Sequence, residues 1–203
     1  MNYFYFDLET IGVQDPAHIE YIEKNMRDPK KVIAKSALSG TRGEIYCITY
    51  GVNDRPVRNV NRGAYIDGSF EKSEEELIEE FCKVLGHSQF KSLDPVWVAH
   101  NIEFDLRFLW QRLAIHRRQE KWAVPIDEKP WSDKLFDTMK QWSGFKGYVT
   151  LHELAIVLGF DIDDPIKGAD VWNELEGGNS ESVIHHCNRD VELLREIHVE
   201  LFM

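Results

Sequence analysis

The chain is short of cysteine, of positive charge and of long apolar runs, and each shortage removes a class of protein. Its three cysteines, Cys47, Cys82 and Cys187, are odd in number and far apart. No CxxC or Cys/His pair has zinc spacing, so a disulfide framework and a zinc finger are both disfavoured and a reduced, cytoplasmic protein is expected. No apolar run approaches the roughly 20 residues a membrane span needs, and no membrane association is expected. The opening residues Met1-Asn2-Tyr3-Phe4 lack the basic region and cleavage site of a signal peptide and read as the approach to a strand. Internal repeats, low-complexity tracts and linkers are absent as well. Cations are outnumbered, for a formal net charge of -11, which taken alone opposes nucleic-acid binding.

The acidity is unevenly spread. Between positions 24 and 42, Lys24, Arg27, Lys30, Lys31, Lys35 and Arg42 meet only Asp28. Between positions 107 and 121, Arg107, Arg112, Arg117, Arg118 and Lys121 meet only Glu120. These runs are candidate basic tracks, although solvated loop and helix faces explain such runs equally well.

At 203 residues and 43% hydrophobic content, the chain can bury one full core, leaving room for at most a small second unit. Residues 3–7 are apolar on both faces and predict a buried strand. Asp15-Pro16 opens a helix over about 17–28, and a basic, irregular stretch continues to Gly43. Strands are expected over 44–52 and near 57–60, joined at Asn53-Asp54-Arg55. Ser73 with Glu76 forms a capping box for a helix reaching about Leu85. Val96 to Ala99 predicts a short buried strand, followed by a helix over about 103–116. The segment 117–147, holding Trp122, Pro125, Pro130, Trp131 and Trp142, reads as loop. Thr150 with Glu153 caps a helix ending at Gly159, and the last helix spans about 180–201. Interleaved strands and helices give one α/β domain, residues 1–203, around a mixed sheet flanked by helices.

Four carboxylates stand out against this pattern. Asp7 and Glu9, two apart in an extended segment, project to one side, at the carboxyl end of a strand where open α/β sheets place ligands. Asp105 follows the 96–99 strand within Asn101-Ile102-Glu103-Phe104-Asp105, near a helix start where capping is a competing role. Asp190 lies in the apolar stripe of the last helix: at 100° per residue, Val183, Ile197 and Leu201 fall within about 20° of it and Leu194 within about 40°. A carboxylate there is costly unless a cation meets it, and a divalent ion is a partner for several at once.

Taken together, Asp7-x-Glu9, Asn101-x-x-Phe104-Asp105 and Asp190 with its preceding histidines resemble the DEDD superfamily of 3′–5′ exonucleases. The second motif is similar in form to that of the proofreading domain of family B DNA polymerases. Cys187-Asn188-Arg189-Asp190-Val191 and the segment from Ser39 to Tyr50 resemble stand-alone phage-type exonucleases related to that domain. The resemblance spans nearly the whole chain and implies a single domain with a ribonuclease-H-like fold. It implies two divalent ions, Mg²⁺ or Mn²⁺, with Asp7 bridging both, Glu9 and Asp190 on the ion that carries the attacking water, and Asp105 supporting the second. It also implies that Thr10, Asn101 and Phe104 contact the terminal nucleotide. The expected activity is hydrolysis from 3′ ends of single-stranded DNA in the cytoplasm of a bacterial or phage-infected cell, with replication or recombination proteins as partners. Exoribonuclease and inactive adaptor readings remain open.

The general base is one of two histidines. His185 stands five before Asp190, the slot of the family's histidine branch, and is favoured on that ground. His186 stands four before it, one helical turn away on the same face. Which of them faces the acids depends on whether the helix has already formed at His185. Asp137 reads as a structural acid, and His100 and His152 as structural histidines without a visible partner. Trp110, Trp131, Trp142 and Tyr148 read as core or loop packing.

Overall fold

The computed structural model describes residues 1–129, 132–163 and 166–203, so Pro130 and Trp131 of the expected loop lie outside the described residues. In chain order the elements are β1 (Tyr3–Ile11), α1 (Pro16–Asn25), α2 (Pro29–Ala34), β2 (Glu44–Val52), β3 (Arg58–Asn61), β4 (Tyr65–Ile66), β5 (Ser69–Phe70), α3 (Glu74–Gly86), α4 (Ser88–Leu93), β6 (Val96–Ala99), α5 (Ile102–Ile115), β7 (Leu135–Asp137), α6 (Thr138–Ser143), α7 (Leu151–Leu158), α8 (Val171–Glu176) and α9 (Ser180–Phe202). β4 and β5 form a small separate hairpin, and the other strands make one mixed sheet in the order β3-β2-β1-β6-β7. Within it β2 runs antiparallel to both neighbours, while β1, β6 and β7 are parallel. The result is an α/β fold with helices on both sheet faces. Among the described residues no helix is long and apolar enough to cross a membrane.

Alternation along β1 divides the molecule. Phe4, Phe6 and Leu8 point to one face, where they pack with Leu77 and Phe81 of α3 and with Leu106 and Phe108 of α5. Tyr5 points to the other, against Val191 and Leu194 of α9. Burying a ring or branched side chain of this size stabilises by roughly 1.5–3 kcal/mol each, so the two apolar layers fix the register. Any slip by one residue would exchange core and site faces.

Local chemistry sets the helix ends. Asp15 accepts from the Ala17 N–H and precedes Pro16 at the first helical position. The Ser73/Glu76 box closes in both directions. Of the Thr150 box, the half in which the threonine oxygen accepts from the Glu153 N–H is in place.

The structure lengthens β1, places elements within 117–147, and adds α2, α4, α8 and the β4–β5 hairpin to those expected. β1 continues to Ile11, four residues beyond the predicted end, because β2 pairs along its whole length. The stretch 117–147 contains the edge strand β7 and helix α6. Too short to show periodicity, β7 is held by parallel pairing to β6.

Between α3 and α5 lies a buried ion pair. Arg112 Nε donates to Glu74 Oε1 at 2.8 Å, and the Ile45 N–H donates to the same oxygen at 2.7 Å. His116 Nε2 lies 2.8 Å from Glu74 Oε2, and Arg112 Nη1 donates to the Gly40 carbonyl at 3.1 Å. Burial would raise the Glu74 pKa, but the hydrogen bonds from His116 and Arg112 and the Arg112 charge outweigh it and hold it below the ordinary carboxylate value. Arg112 is thus a structural cation and leaves the basic track expected over 107–121.

Candidate metal centre

β1 outlasts β6. Pairing between them covers Tyr3 to Tyr5 against Val96 to Val98, after which the β6 chain turns away through His100 and Asn101. Asn101 has φ 64°, in the left-handed region that asparagine tolerates, and its N–H donates to Asp137 Oδ1 at 3.1 Å. The turn leaves Asp7 and Glu9 beside a gap in the sheet, with α5 starting alongside and carrying Asp105.

The carboxylates converge there from three elements. Asp7 and Glu9 come from β1, Asp105 from the first turn of α5 and Asp190 from the middle of α9. Glu9 is 7% exposed and Asp105 3%. Burial first, then the charge of Asp190, raises the Asp7 pKa to about 8, against smaller opposing hydrogen bonds from Cys187 and the Leu8 N–H. Burial, with Asp7, Asp190 and Asp105 among the neighbouring charges, pushes Glu9 well up. Burial and Asp7 do the same to Asp105. Every acid of the set therefore acts on at least one other. Among the described residues no lysine or arginine lies within ion-pair distance of any of them.

Nitrogen and sulfur donors complete the cluster. His186 is 3% exposed, with Nε2 3.3 Å from Glu9 Oε1 and 4.0 Å from Asp190 Oδ2. His152, near the start of α7, places Nε2 2.9 Å from Asp190 Oδ1, and its ring meets that of His186 edge-on at 5.8 Å between centroids. Cys187 Sγ lies 3.5 Å from Asp7 Oδ2. Burial keeps this thiol protonated, raising its pKa well above the usual value. Ligand atoms of Asp7, Glu9 and Cys187 lie within 4.8 Å of one another, as do those of His152, His186 and Asp190. Carboxylate-rich donors suit Mg²⁺ or Mn²⁺, and the adjoining imidazoles favour the transition ion of the two. The residues fit the group the sequence implies.

The other expected site residues fare differently. His185 lies within α9 and is exposed, because the helix already forms at Ser180, so His186 takes the inward face instead. Thr10 donates its hydroxyl to the Ala37 carbonyl at 2.8 Å, which pins the 36–38 turn across the end of β1 rather than leaving that hydroxyl for a ligand. Phe104 and Asn101 line a groove of about 410 Å³ together with Arg107 and Gly40. Asp137 caps α6 by accepting from the Met139 and Lys140 N–H groups, the structural role expected of it. His100 bridges Thr138 Oγ1 at 2.9 Å and the Val149 carbonyl at 2.8 Å. A carbonyl only accepts, so His100 Nε2 carries the proton and Nδ1 accepts from Thr138. Trp110 packs against the core as expected. Trp142 and Tyr148 do not, being 46% and 75% exposed.

His152 is the residue of this cluster that sequence reasoning missed. Two residues after its cap, it carries no local signal, and its partner is 38 positions away. No protein-family model matches the chain, and a search of curated proteins finds no match.

Proposed function

We propose that the chain is a metal-dependent 3′–5′ exonuclease that hydrolyses single-stranded DNA ends, on a ribonuclease-H-like fold. One observation carries the reading: Asp7, Glu9, Asp105 and Asp190, supplied by a strand and two distant helices, meet in one largely buried cluster, and among the described residues no lysine or arginine balances them. Folding such a set together is costly, and a site that binds cations gives the cost a purpose. The mixed sheet with one reversed inner strand and helices on both faces agrees with the fold part of the reading.

Asp7, Glu9 and Asp190 would hold one divalent ion, and Asp7 with Asp105 a second. Two such ions stabilise the charge on the attacking and leaving oxygens of an in-line phosphodiester displacement. His186, wedged between Glu9 and Asp190, fixes those two carboxylates. His152 keeps a side-chain exposure of 24% beside Asp190, so it is the imidazole placed to take a proton from the attacking water. Asp190 orients it, accepting from Nε2–H when that nitrogen is protonated. The groove along α5 would receive the strand, with Phe104 for a base and Arg107 for a phosphate.

Digestion of 3′-labelled and 5′-labelled DNA and RNA oligonucleotides with Mg²⁺ or Mn²⁺ tests this. Wild type runs beside Asp7→Asn, His152→Ala, His185→Ala and His186→Ala. The expected result is release of mononucleotides from DNA 3′ ends, lost in Asp7→Asn and retained in His185→Ala. Cleavage of RNA alone would move the reading to an exoribonuclease. Absence of metal-dependent cleavage of either polymer would overturn it in favour of an adaptor that keeps the acids for a partner.

A further inference from the structure

A second cleft, of about 570 Å³, opens between the β2–β3 hairpin and the turn joining α3 to α4. It includes the last residues of β2, which pair with the start of β1, whereas Asp7 and Glu9 lie farther along that strand. None of its lining residues belongs to the acid cluster.

Its lining combines apolar and basic side chains. Val57, Val84 and Leu93 form an apolar floor over the buried rings of Tyr50 and Phe90. Arg55, Arg58 and Lys83 stand on the rim, and among the described residues no acid lines the cleft. All three rim cations are exposed, and none has an ion-pair partner among the described residues. Other surface cations do meet acids: Lys72 meets Glu80, Arg118 meets Glu75 and Glu79, and Arg189 meets Asp163, Glu192 and Glu196. In a chain with 35 acidic and 24 basic residues, three unbalanced cations around one apolar cleft form a local reversal of charge. His87 adds no ligand group through Nδ1, which accepts from the Gln89 N–H and caps α4.

We propose that this cleft docks an acidic peptide segment of a protein partner, which seats one apolar side chain on the floor and sets its carboxylates against Arg55, Arg58 and Lys83. Single-stranded nucleic acid would also meet the cations, but the floor offers it little. Tyr50 and Phe90 are each 8% exposed, so no ring face is open for a base to stack on. Arg58 lies opposite Tyr50 across the β2–β3 pair, and its charge opposes the rise that burial gives the Tyr50 pKa, so its guanidinium lies near the Tyr50 hydroxyl.

Fluorescence anisotropy with a fluorescein-labelled acidic octapeptide of aspartate and glutamate around a central phenylalanine tests the proposal. Saturable binding that weakens with added salt is expected. It should weaken at least tenfold when Arg55→Glu and Lys83→Glu are combined, and at least tenfold when serine replaces the peptide's phenylalanine. Both substitutions lie on the surface, and an unchanged unfolding midpoint would show that the variant folds. The peptide change is a second test that leaves the protein untouched. Failure to saturate, or equal binding by the charge-reversed protein, would overturn the proposal. So would tighter binding at this cleft, lost in the variant, of a labelled oligothymidylate of equal charge. That last result would assign the cleft to nucleic acid.

Discussion

Glu74 and Glu9 are both buried glutamates close to the central sheet, and they differ in what surrounds them. Glu74 receives Arg112, His116 and the Ile45 N–H, and its carboxyl is held below the ordinary value. Glu9 faces His186 and three further carboxylates, and burial with those charges pushes it well above. The first acid is finished by the fold: its charge is met by groups that exist nowhere else in the pattern. The second is left short of positive charge, at a position the same fold could have filled with one more arginine. Where a protein satisfies one buried acid so fully and leaves four others facing each other, the deficit is a property of the site rather than of poor packing.

The comparison can be broken most severely at Asp7. Asp7→Asn keeps the shape and removes the carboxylate that the reading places between two cations. Metal-dependent hydrolysis should fall by about 10⁴-fold, equivalent to roughly 5.4 kcal/mol of transition-state stabilisation. Initial rates on a 3′-labelled oligonucleotide would measure it, and a loss below about tenfold would detach Asp7 from the chemistry.

Arg112→Ala attacks the other side. It leaves Glu74 buried without its cation, so denaturant unfolding should show a loss of about 3–5 kcal/mol. Adding Glu74→Leu should recover much of that loss, because the stranded charge is then gone. A double variant no more stable than the single one would mean that the pair contributes through packing alone.

Smaller still is the effect of metal on the native chain. At 100 times its dissociation constant, Mn²⁺ should stabilise the folded protein by about 2.7 kcal/mol. Asp7→Asn should lose most of that gain, and Arg112→Ala should keep it. Thermal unfolding with and without Mn²⁺ separates the two regions without any assay of activity.

The mildest test concerns a buried group satisfied without charge. His198 Nδ1 shares a 2.9 Å hydrogen bond with the Tyr5 hydroxyl, while burial lowers the His198 pKa from 6.5 to about 4. Between those values the unfolded chain binds the proton and the folded chain does not. Its contribution is therefore complete above about pH 6.5 and is lost as pH falls towards about 4. The slope should reach at most ~1.4 kcal/mol per pH unit in that window. It should flatten in His198→Phe, and equal slopes in the two proteins would refute the assignment.

Much of the acid cluster was legible in the sequence because each acid breaks a local rule. Asp7 and Glu9 share a face by strand alternation, and Asp190 interrupts an apolar stripe. The strands over 44–52 and 96–99 were equally plain, being continuous apolar runs. The convergence of β1, α5 and α9 was accessible only through the likeness of motifs, since no local period reports a distance across the fold. The choice between His185 and His186 turned on where α9 begins, which residue types alone do not set. His152 was invisible for a stronger reason. Its meaning comes from α7 lying against α9, and a histidine in the first turn of a short helix has no pattern to break. Thr10 shows a contact no pattern reports: it belongs to the motif, and its hydroxyl also ties down the 36–38 turn.

β1 carries the anchor and the chemistry on one strand, with Phe4, Phe6 and Leu8 on one face and Tyr5, Asp7 and Glu9 on the other. A nascent or half-unfolded chain in which that strand is out of register has no assembled acid cluster, because the same slip that exposes the rings disperses the carboxylates. Whatever chemistry the carboxylates support is therefore available only once the core is complete.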